Sequence, residues 1–278
     1  MKISVTIITK NEEKNIGDCI DSVKQFADEI IVVDSFSSDA TVDIALKKGA
    51  IVKREKFRGH IEQKNLAVQY ASNNFIFSID ADERPDQTLI ESITIEKKLH
   101  SAKAFSMNRC AYFCGQRITH GLWYPDKKLR LFDRRIAKWG GINPHDKILL
   151  NKPGDVKHLR GNILHYSYNS IEECRNKRRH LTSVYAESMF KAGKKTSLFK
   201  MIVNPIWEFV HGFIFRAGFL DGYYGFIISL ETAKSVFMKH SKLHQLQKDG
   251  FYLINKNSDN QKYQILQSEP ELQAENKF

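Results

Sequence analysis

Alternating strand and helix patterns across the first 80 residues constrain the fold more than any other feature of the chain. The apolar runs are rich in β-branched residues, as buried strands are, and the stretches between them repeat apolar residues at helical spacing. The predicted strands are 3–9, 29–33, 50–52 and 75–79, and the predicted helices are 16–26, 41–48 and 61–71. This alternation predicts βαβ units with right-handed crossovers and a parallel sheet.

Two predicted strands end in an aspartate, Asp34 and Asp80. Because ligands of open parallel sheets bind beyond the carboxyl ends of the strands, we expect both side chains at one site. The fourth strand leads into Asp80-Ala81-Asp82-Glu83, which has three carboxylates within four residues. If the strand continues, alternation places Asp80 and Asp82 on the same side.

Closely packed carboxylates are costly unless a cation neutralises them. Their oxygens suit Mg²⁺ or Mn²⁺, which can also bind a diphosphate and stabilise a departing nucleoside diphosphate. The alternative is a solvated acidic turn. The position after a fourth parallel strand, with Asp34 at another strand end, favours a divalent metal.

Ordered segments of the chain resemble family 2 glycosyltransferases, and the later ones resemble the lipopolysaccharide-core β-glucosyltransferase branch. The segments are Val5-Thr6-Ile7-Ile8-Thr9-Lys10-Asn11-Glu12, Ile31-Val32-Val33-Asp34-Ser35, Gln63-Lys64-Asn65, Ser78-Ile79-Asp80-Ala81-Asp82-Glu83, His120-Gly121-Leu122-Trp123-Tyr124-Pro125-Asp126, Leu129-Arg130-Leu131-Phe132 and His165-Tyr166-Ser167-Tyr168. The resemblance covers roughly residues 3–240. It implies a GT-A fold, which is a Rossmann-like, mostly parallel sheet flanked by helices. It also implies a nucleotide-sugar donor and inversion at the anomeric carbon.

The resemblance also assigns residues to the donor. The assigned positions are Thr9, Asn11 and Glu12 at the nucleotide end, Asp34 at the base or ribose, Lys64 at the diphosphate, and Asp80 at the ribose or sugar. Lys64 has a second interpretation as a surface lysine of a helix. Arg130 interrupts an apolar run, so we expect it to pair with a phosphate or with a structural carboxylate.

An inverting transfer needs a base that removes the proton of the acceptor hydroxyl. The best candidate is Asp146 in Pro144-His145-Asp146. Members of the family commonly have His-Glu there, so the carboxylate side chain in this protein is shorter by one methylene. Asp126 is the alternative base, or else a turn residue after Pro125. Asp82 is the predicted metal ligand. His145 is predicted to bind the metal or orient the acceptor, and otherwise is a structural histidine.

The acceptor is expected to be a lipopolysaccharide or lipooligosaccharide inner core, at a heptose, with glucose from UDP-glucose as the transferred sugar. These expectations come from the branch that the chain resembles. Trp123 and Tyr124 would stack on a sugar face, or else belong to the core.

The C-terminal part is basic and aromatic. We predict a catalytic domain over 1–165, with its nucleotide-binding half over about 1–100 and its acceptor half over about 101–165. A helical, membrane-associating region over 166–250 and a polar tail over 251–278 follow. The net charge of +11 favours polyanions such as anionic lipid. We therefore expect a peripheral protein on the cytoplasmic face of the membrane. The alternative is a helical subdomain packed on the core.

The sequence suggests no export signal and contains no run of 18 uncharged apolar residues. Its four cysteines lack the spacing of a zinc site or disulfide framework and suit a reducing compartment.

Several other functions remain open, and one is transfer from another nucleotide-sugar to a different surface glycan. A nucleotidyltransferase usually has a glycine-rich phosphate loop where this chain has Lys10-Asn11-Glu12-Glu13. A nucleic-acid-binding protein would need a binding module, which is not evident, so no nucleic acid is expected. An inactive sugar-binding scaffold is disfavoured by Asp80, Asp82 and Asp146, although turnover alone can exclude it.

Overall fold

The computed structural model describes the backbone of residues 1–142, 145–151, 154 and 156–268, and the side chains of 1–141, 146–151, 154 and 156–249. By internal contacts the chain divides into two units, with the boundary between Asn169 and Ser170. The domain boundaries of the sequence analysis remain predictions.

The first part of the first unit has the predicted alternation of strands and helices. Its elements are β1 (Ile3–Thr9), α1 (Ile16–Val23), β2 (Glu29–Asp34), α2 (Thr41–Lys47), β3 (Ile51–Arg54), α3 (His60–Tyr70) and β4 (Phe75–Asp80). Strand β1 pairs in parallel with β2 and β4, and β2 pairs in parallel with β3. In this register Thr9 lies opposite Asp34, and Ile8 lies opposite Asp80. The carboxyl ends of the three central strands therefore meet at one edge, where ligands of such sheets bind.

The rest of the unit extends the sheet. Its elements are β5 (Glu83–Pro85), α4 (Gln87–Leu99), β6 (Ala104–Phe113), β7 (Gln116–Arg117), β8 (Asp126–Asp133), β9 (Ala137–Ile142), β10 (His145–Leu150) and β11 (Val156–Tyr168). Among the described residues, nine strands form one sheet in the order β3-β2-β1-β4-β8-β6-β11-β5, with β7 paired to β6. Strands β9 and β10 form a separate antiparallel hairpin. The predicted fold, a mostly parallel sheet flanked by helices in the GT-A arrangement, is confirmed.

Alternation along the strands divides the apolar residues between the two faces of the sheet. Val32 of β2 and Phe77 of β4 belong to a cluster that α1 and α4 cover. Their neighbours Ile31 and Ile76 belong to a second cluster with residues of α3 and with Trp139 of the hairpin. The hairpin therefore packs on the same face as α3.

Gly161 allows β11 to pass close to the start of α4. Its φ is +94°, and a Cβ there would lie 2.2 Å from the backbone nitrogen of Leu89. Beyond this contact, β11 pairs with β5 so that His165 lies opposite Glu83. The close approach thus helps to bring β11 beside the acidic motif.

The second unit is helical where it is described. It contains α5 (Ile171–Lys191), α6 (Leu198–Val210), a π-helical turn (His211–Phe215), a 3-10 turn (Gly218–Asp221) and α7 (Gly222–Ser268). Helix α7 packs against α5 and α6. Arg175 of α5 donates to the buried Glu231 of α7 at 3.0 Å. Helix α7 continues beyond residue 250 into the segment predicted as a polar tail, and residues 269–278 lie outside the described part.

Helix α6 exposes most of its large apolar side chains. Phe199, Ile202 and Ile206 are 72%, 61% and 60% exposed, and Trp207 is 56% exposed. Among the described residues, one helical stretch, Leu198–Phe215, is long and apolar enough to cross a membrane by length and composition, and 6% of it is buried. The stretch includes two charged residues, Lys200 and Glu208.

Candidate active site

The acidic motif forms a turn between two strands. Strand β4 ends at Asp80, Ala81 and Asp82 form the turn, and β5 begins at Glu83. The strand alternation considered for Asp80 and Asp82 therefore does not apply, because the strand stops at the first of them. Their side chains instead have different partners.

Asp80 lies between two cations. Its Oδ1 is 3.0 Å from Nζ of Lys64, and its Oδ2 accepts from Nη2 of Arg130 at 3.2 Å. Burial acts to raise the pKa of Asp80, but the charges of Lys64 and Arg130 outweigh it and hold the pKa well below its ordinary value. Asp80 is therefore a stable anion that positions both cations. Lys64 is 5% exposed, which rules out the interpretation as a surface lysine.

Lys64 also pairs with the predicted base. Its Nζ donates to Oδ2 of Asp146 at 2.8 Å. Asp146 is the second residue of β10, opposite Gly141 of β9, so the hairpin delivers this carboxylate to the end of β4. Lys64 Nζ also lies 4.4 Å from the ring centroid of Trp139, which is a cation–π distance.

Three consecutive residues of α3 contact three parts of the site. Gln63 Nε2 donates to Oγ of Ser35 in the loop after β2 at 3.2 Å. Lys64 binds the two carboxylates. Asn65 donates to the carbonyl of Trp139 at 3.0 Å and accepts from its backbone N–H at 3.1 Å. The side chain of Asn65 thus fastens the hairpin to α3.

Glu83 is a buried carboxylate that binds Arg130 and Arg109. It is fully buried, accepts from the backbone nitrogen of Asp80 at 3.0 Å, and accepts from Nη2 of Arg130 at 3.0 Å and Nη1 of Arg109 at 3.3 Å. Burial lowers the pKa of Arg130, but Glu83 and Asp80 outweigh it and raise the pKa overall. Arg130 is therefore charged. Its predicted partner, a phosphate or a structural carboxylate, is in this structure a carboxylate.

Asp126 is held by cations on both sides. Nη2 of Arg109 lies 2.8 Å from its Oδ2, and Nζ of Lys128 lies 2.9 Å from its Oδ1. A base must present an oxygen to the reacting hydroxyl. Both oxygens of Asp126 are paired with cations, and Oδ2 of Asp146 is paired with Lys64, so the choice of Asp146 over Asp126 as the base stays a prediction.

The predicted nucleotide end joins two loops. The backbone nitrogen of Asn11 donates to Ser37 Oγ at 2.8 Å, and Asn11 Oδ1 accepts from the nitrogen of Ser38 at 2.9 Å. The nitrogen of Glu12 donates to Oγ1 of Thr41 at 2.8 Å. Asn11 and Glu12 therefore fix the loop after β1 to the loop after β2, and their contacts with a nucleotide stay predictions.

Asp34 and Thr9 lie beneath these loops. Asp34 is fully buried, accepts from the backbone nitrogen of Ser37 at 3.0 Å, and pairs with Nε of Arg54 at 3.6 Å. Thr9 Oγ1 is buried without a hydrogen-bond partner among the described residues. Asp34 organises the loop after β2, and its contact with a base or ribose stays a prediction.

Asp82 faces His165 of β11. Its Oδ2 lies 3.2 Å from His165 Nε2, and Nδ1 of the same ring lies 2.8 Å from Ser167 Oγ. A carboxylate oxygen suits Mn²⁺ or Mg²⁺, whereas an imidazole nitrogen suits transition metals rather than Mg²⁺. Among the described residues no group of three His, Cys, Asp or Glu could hold a metal. The side chain of His145, the other predicted ligand, lies outside the described part.

The predicted acceptor aromatics are partly buried. Trp123 packs against Phe113 and Tyr168, with ring centroids 5.7 and 5.8 Å away. Tyr124 donates to Oδ1 of Asn162 at 3.2 Å. These contacts cover part of each side chain, and the stacking of either ring on a sugar stays a prediction.

A cavity of about 340 Å³ opens beside Asp80 and Asp146. Its lining residues are Lys64, Asp80, Arg109, Lys127, Lys128, Leu129, Arg130, Trp139, Asp146, Lys147 and Ile148. The cavity thus brings together Lys64, Asp80, Arg130 and Asp146, four of the residues predicted from sequence.

Sequence reasoning gave Glu83 no role beyond its place in the acidic motif, and it gave none to Arg109, Trp139 or His165. Glu83 and His165 lie inside the segments that carry the family resemblance, and that position was the available signal. Arg109 and Trp139 lie in no such segment. They reach the site only through the pairing of β6 with β8 and the folding of the hairpin.

A Rossmann-like sheet with carboxylates and cations converging at its carboxyl ends defines a GT-A-type transferase. Residues 4–160 match Glycosyl transferase family 2, and the chain belongs to that family. It is 35% identical to an uncharacterized glycosyltransferase of Rickettsia typhi over 255 residues, which cover 88% of this chain and 87% of that protein. It is 28% identical to the lipopolysaccharide core biosynthesis glycosyltransferase LpsC of Rhizobium meliloti, over 88% of this chain and 93% of the relative.

A solved structure also resembles part of the chain. Glucosyl-3-phosphoglycerate synthase from Mycobacterium tuberculosis, solved with Mn²⁺, uridine diphosphate and glucosyl-3-phosphoglycerate, is 24% identical, with a TM-score of 0.33. The match covers 40% of this chain and 44% of that chain.

Proposed function

We propose that this protein is an inverting glucosyltransferase that moves glucose from UDP-glucose to a heptose hydroxyl of a lipopolysaccharide or lipooligosaccharide inner core. One observation carries the proposal: Lys64 lies between Asp80, at 3.0 Å, and Asp146, at 2.8 Å, at the carboxyl end of β4. A cation for the leaving diphosphate and a carboxylate for the acceptor proton thus lie side by side. The choice of glucose and heptose rests on the resemblance to the core β-glucosyltransferase branch, and the name of LpsC supports a core glycan.

The donor would lie along the strand ends. Thr9, Asn11, Glu12 and Asp34 form the nucleotide end, and Asp80 lies at the ribose or sugar. Two guanidinium nitrogens of Arg130, Nε and Nη1, are buried without hydrogen-bond partners among the described residues. Buried donors of a guanidinium need oxygen acceptors, and a diphosphate supplies them in a suitable geometry. Lys64 and Arg130 would therefore bind the diphosphate.

The transfer is a displacement at the anomeric carbon. The acceptor oxygen forms a bond to C1 of the sugar while the bond from C1 to the diphosphate oxygen breaks. The electron pair of that bond leaves with the diphosphate, whose new charge faces Lys64 and Arg130. The hydroxyl proton passes to Asp146. The nucleophile and the leaving group lie on opposite sides of C1, so the configuration inverts.

Asp82 and His165 would hold a divalent metal. Such an ion would supply positive charge that stabilises the leaving diphosphate. Trp123 and Tyr124 would contact the acceptor sugar, as amphipathic rings with one exposed side can.

The acceptor is proposed to be lipid-linked, and the protein to be peripheral on the cytoplasmic face of the membrane. The exposed apolar side chains of α6 support this location, because contiguous exposed apolar surface marks interaction sites. The exposed lysines 191, 194 and 195 precede α6 and add attraction to anionic headgroups. Helices with an apolar face and basic flanks lie in the membrane interface.

The test is release of nucleoside diphosphate from a panel of UDP-sugars, with deep-core lipopolysaccharide as acceptor and with Mn²⁺ or EDTA. We expect release with UDP-glucose and Mn²⁺, with loss of release in Asp146→Asn. Release of UDP from a different UDP-sugar alone would identify that sugar, and not glucose, as the one transferred. If no nucleotide-sugar turns over and RNA or DNA binds tightly at physiological salt, the protein would be a nucleic-acid-binding protein and not an enzyme.

A further inference from the structure

The indole ring of Trp139 lies against both cations that the proposed mechanism places at the diphosphate. Nζ of Lys64 lies 4.4 Å from the ring centroid, and Cζ of Arg130 lies 5.4 Å from it. Both distances suit cation–π contacts, in which the negative face of an aromatic ring attracts a cation. All three side chains are buried, so water weakens these contacts little.

The hairpin and α3 fix the place of this ring. Trp139 lies opposite Ile148, two residues along β10 from Asp146, so strand alternation puts Trp139 and Asp146 on the same face of the hairpin. The backbone N–H of Trp139 donates to the side chain of Asn65, and its carbonyl accepts from that side chain. Asn65 directly follows Lys64 in α3. Backbone hydrogen bonds therefore hold the ring beside the lysine.

The ring restrains Arg130 in a way that the carboxylates do not. Asp80 and Glu83 both contact Arg130 at one nitrogen, Nη2. The other two guanidinium nitrogens, Nε and Nη1, are buried without hydrogen-bond partners among the described residues. Hydrogen bonds at a single nitrogen leave the guanidinium plane free to turn about that nitrogen. A ring packed beside the guanidinium limits this rotation.

The ring also stabilises the cations without neutralising them. Asp80 and Asp146 already share Lys64. A further carboxylate beside the lysine would cancel positive charge and compete with a diphosphate for the ammonium group. An aromatic ring attracts a cation through its quadrupole and carries no net charge. The neutral ring therefore preserves the positive potential that a nucleoside diphosphate would meet.

We propose that Trp139 is a positioning residue for the nucleoside diphosphate and acts through Lys64 and Arg130. The inference rests on the proposed function, in which these two cations bind the diphosphate, and it adds the residue that keeps them in place. The ring orders both cations before the donor arrives. Less ordering then remains when the diphosphate binds, and the affinity for it rises.

The test compares an aromatic with an aliphatic replacement. Trp139→Leu removes the ring face. Trp139→Phe keeps a ring face and removes an indole N–H that has no hydrogen-bond partner among the described residues. The control is Tyr70→Leu, which removes the ring that faces Lys53 at 5.6 Å, at the last residue of α3. Calorimetry with Mn²⁺ measures the dissociation constant of UDP, NMR titration measures that of uridine, and unfolding curves measure stability.

We expect Trp139→Leu to weaken UDP binding about tenfold or more, because both cation–π contacts are lost. Trp139→Phe should stay within about threefold of wild type, since a phenyl face also attracts cations. Tyr70→Leu should bind UDP as the wild type does. Uridine lacks the diphosphate and should bind equally to all four proteins. A residue that only supports the fold would instead weaken UDP and uridine binding together.

Two results would overturn the inference and leave the proposed transfer intact. One is equal UDP affinity in Trp139→Leu and Trp139→Phe, and the other is a parallel loss of UDP and uridine binding. If the UDP affinities differ as expected but no UDP-sugar turns over, the role of Trp139 is supported and the proposed transfer is wrong. Wild type that binds no UDP would overturn both. If Trp139→Leu does not fold, Trp139→Met replaces it, because methionine fills an irregular gap without offering a ring face.

Discussion

Glu83 and Arg130 form an ion pair inside the first unit, with Nη2 of Arg130 3.0 Å from Oε1 of Glu83 and side chains 0% and 4% exposed. The same carboxylate accepts from Arg109 and from the backbone nitrogen of Asp80. It therefore fixes the position of a cation that the proposed mechanism places at the diphosphate. Its loss should affect both folding and turnover.

We expect Glu83→Gln to lower the free energy of unfolding by about 3–5 kcal/mol, because it leaves Arg130 with less compensation inside the protein. Denaturant unfolding measures this loss, and UDP release should fall with it. The matched control is Asp43→Asn, at an exposed position of α2, with a change within about 0.5 kcal/mol. Equal stability of the two variants would contradict the role of Glu83 as an anchor.

Substitution of the two candidate bases should separate them. Asp146→Asn keeps the shape of the side chain and removes its basicity, so kcat should fall by about 10²-fold or more. Asp126→Asn should change kcat by less than about tenfold, because the pairs with Arg109 and Lys128 already occupy both of its oxygens. Steady-state kinetics and the affinity for UDP are measured on both variants. A larger loss of kcat in Asp126→Asn would make Asp126 the base.

Metal removal tests the pair of Asp82 and His165. We expect UDP to bind more weakly in EDTA than with Mn²⁺, and Asp82→Asn to abolish that difference. His165→Gln should lower the affinity for the metal by about tenfold or more. Calorimetric titration of UDP with and without Mn²⁺ provides the measurement. Wild-type protein that binds UDP and turns over equally well in EDTA would rule out the metal.

The sequence predicts the sheet well and the site in part. The strands and helices up to Asp80 follow from β-branched runs and helical spacing, which are local properties. The separate partners of Asp80 and Asp82 did not follow, because they depend on where β4 stops and on the pairing of β5 with the distant His165. The positions of Arg109 and Trp139 depend on such long-range pairing as well, and no local pattern encodes it.

Glu96 of α4 makes the stability of the first unit depend on pH. Burial acts to raise the pKa of Glu96, but hydrogen bonds from Lys157 and Ser101 outweigh it and hold the pKa below its ordinary value. A carboxyl with a lowered pKa in the folded state contributes stability above its unfolded pKa, and this contribution is lost as the pH falls through the folded value. Glu96→Gln should therefore cost about 1 kcal/mol or more at neutral pH and progressively less in acid.

Unfolding curves from pH 7 to acid, on wild type and Glu96→Gln, measure this change in roughly one-unit steps. Glu91→Gln, on an exposed position of the same helix, is the control and should follow the wild type. A stability difference for Glu96→Gln that does not shrink in acid would show that Lys157 and Ser101 do not stabilise the charged form.

The apolar surface of α6 gives a prediction for membrane binding. Phe199→Glu/Ile206→Glu should reduce sedimentation with phosphatidylserine-containing vesicles by about tenfold or more, because two large apolar side chains no longer enter the interface. Ile95→Glu, at a 55% exposed position of α4, should leave binding unchanged. Release of membrane-bound wild type by alkaline carbonate is expected of a peripheral protein. Retention would indicate a helix that spans the bilayer, and dimers without vesicle binding would assign the surface to a second copy.

Helix α3 contacts both the loop at the proposed nucleotide end and the hairpin that carries the proposed base. Gln63 holds the loop after β2 through Ser35, Lys64 binds Asp146, and Asn65 holds the hairpin that carries this aspartate. The three residues are consecutive, so the backbone of one helical turn sets the distances among these contacts. A displacement of α3 would change donor affinity and the approach of the acceptor in the same movement. Substitutions that shift this turn should therefore impair binding and chemistry jointly, and revertants that restore one should restore the other.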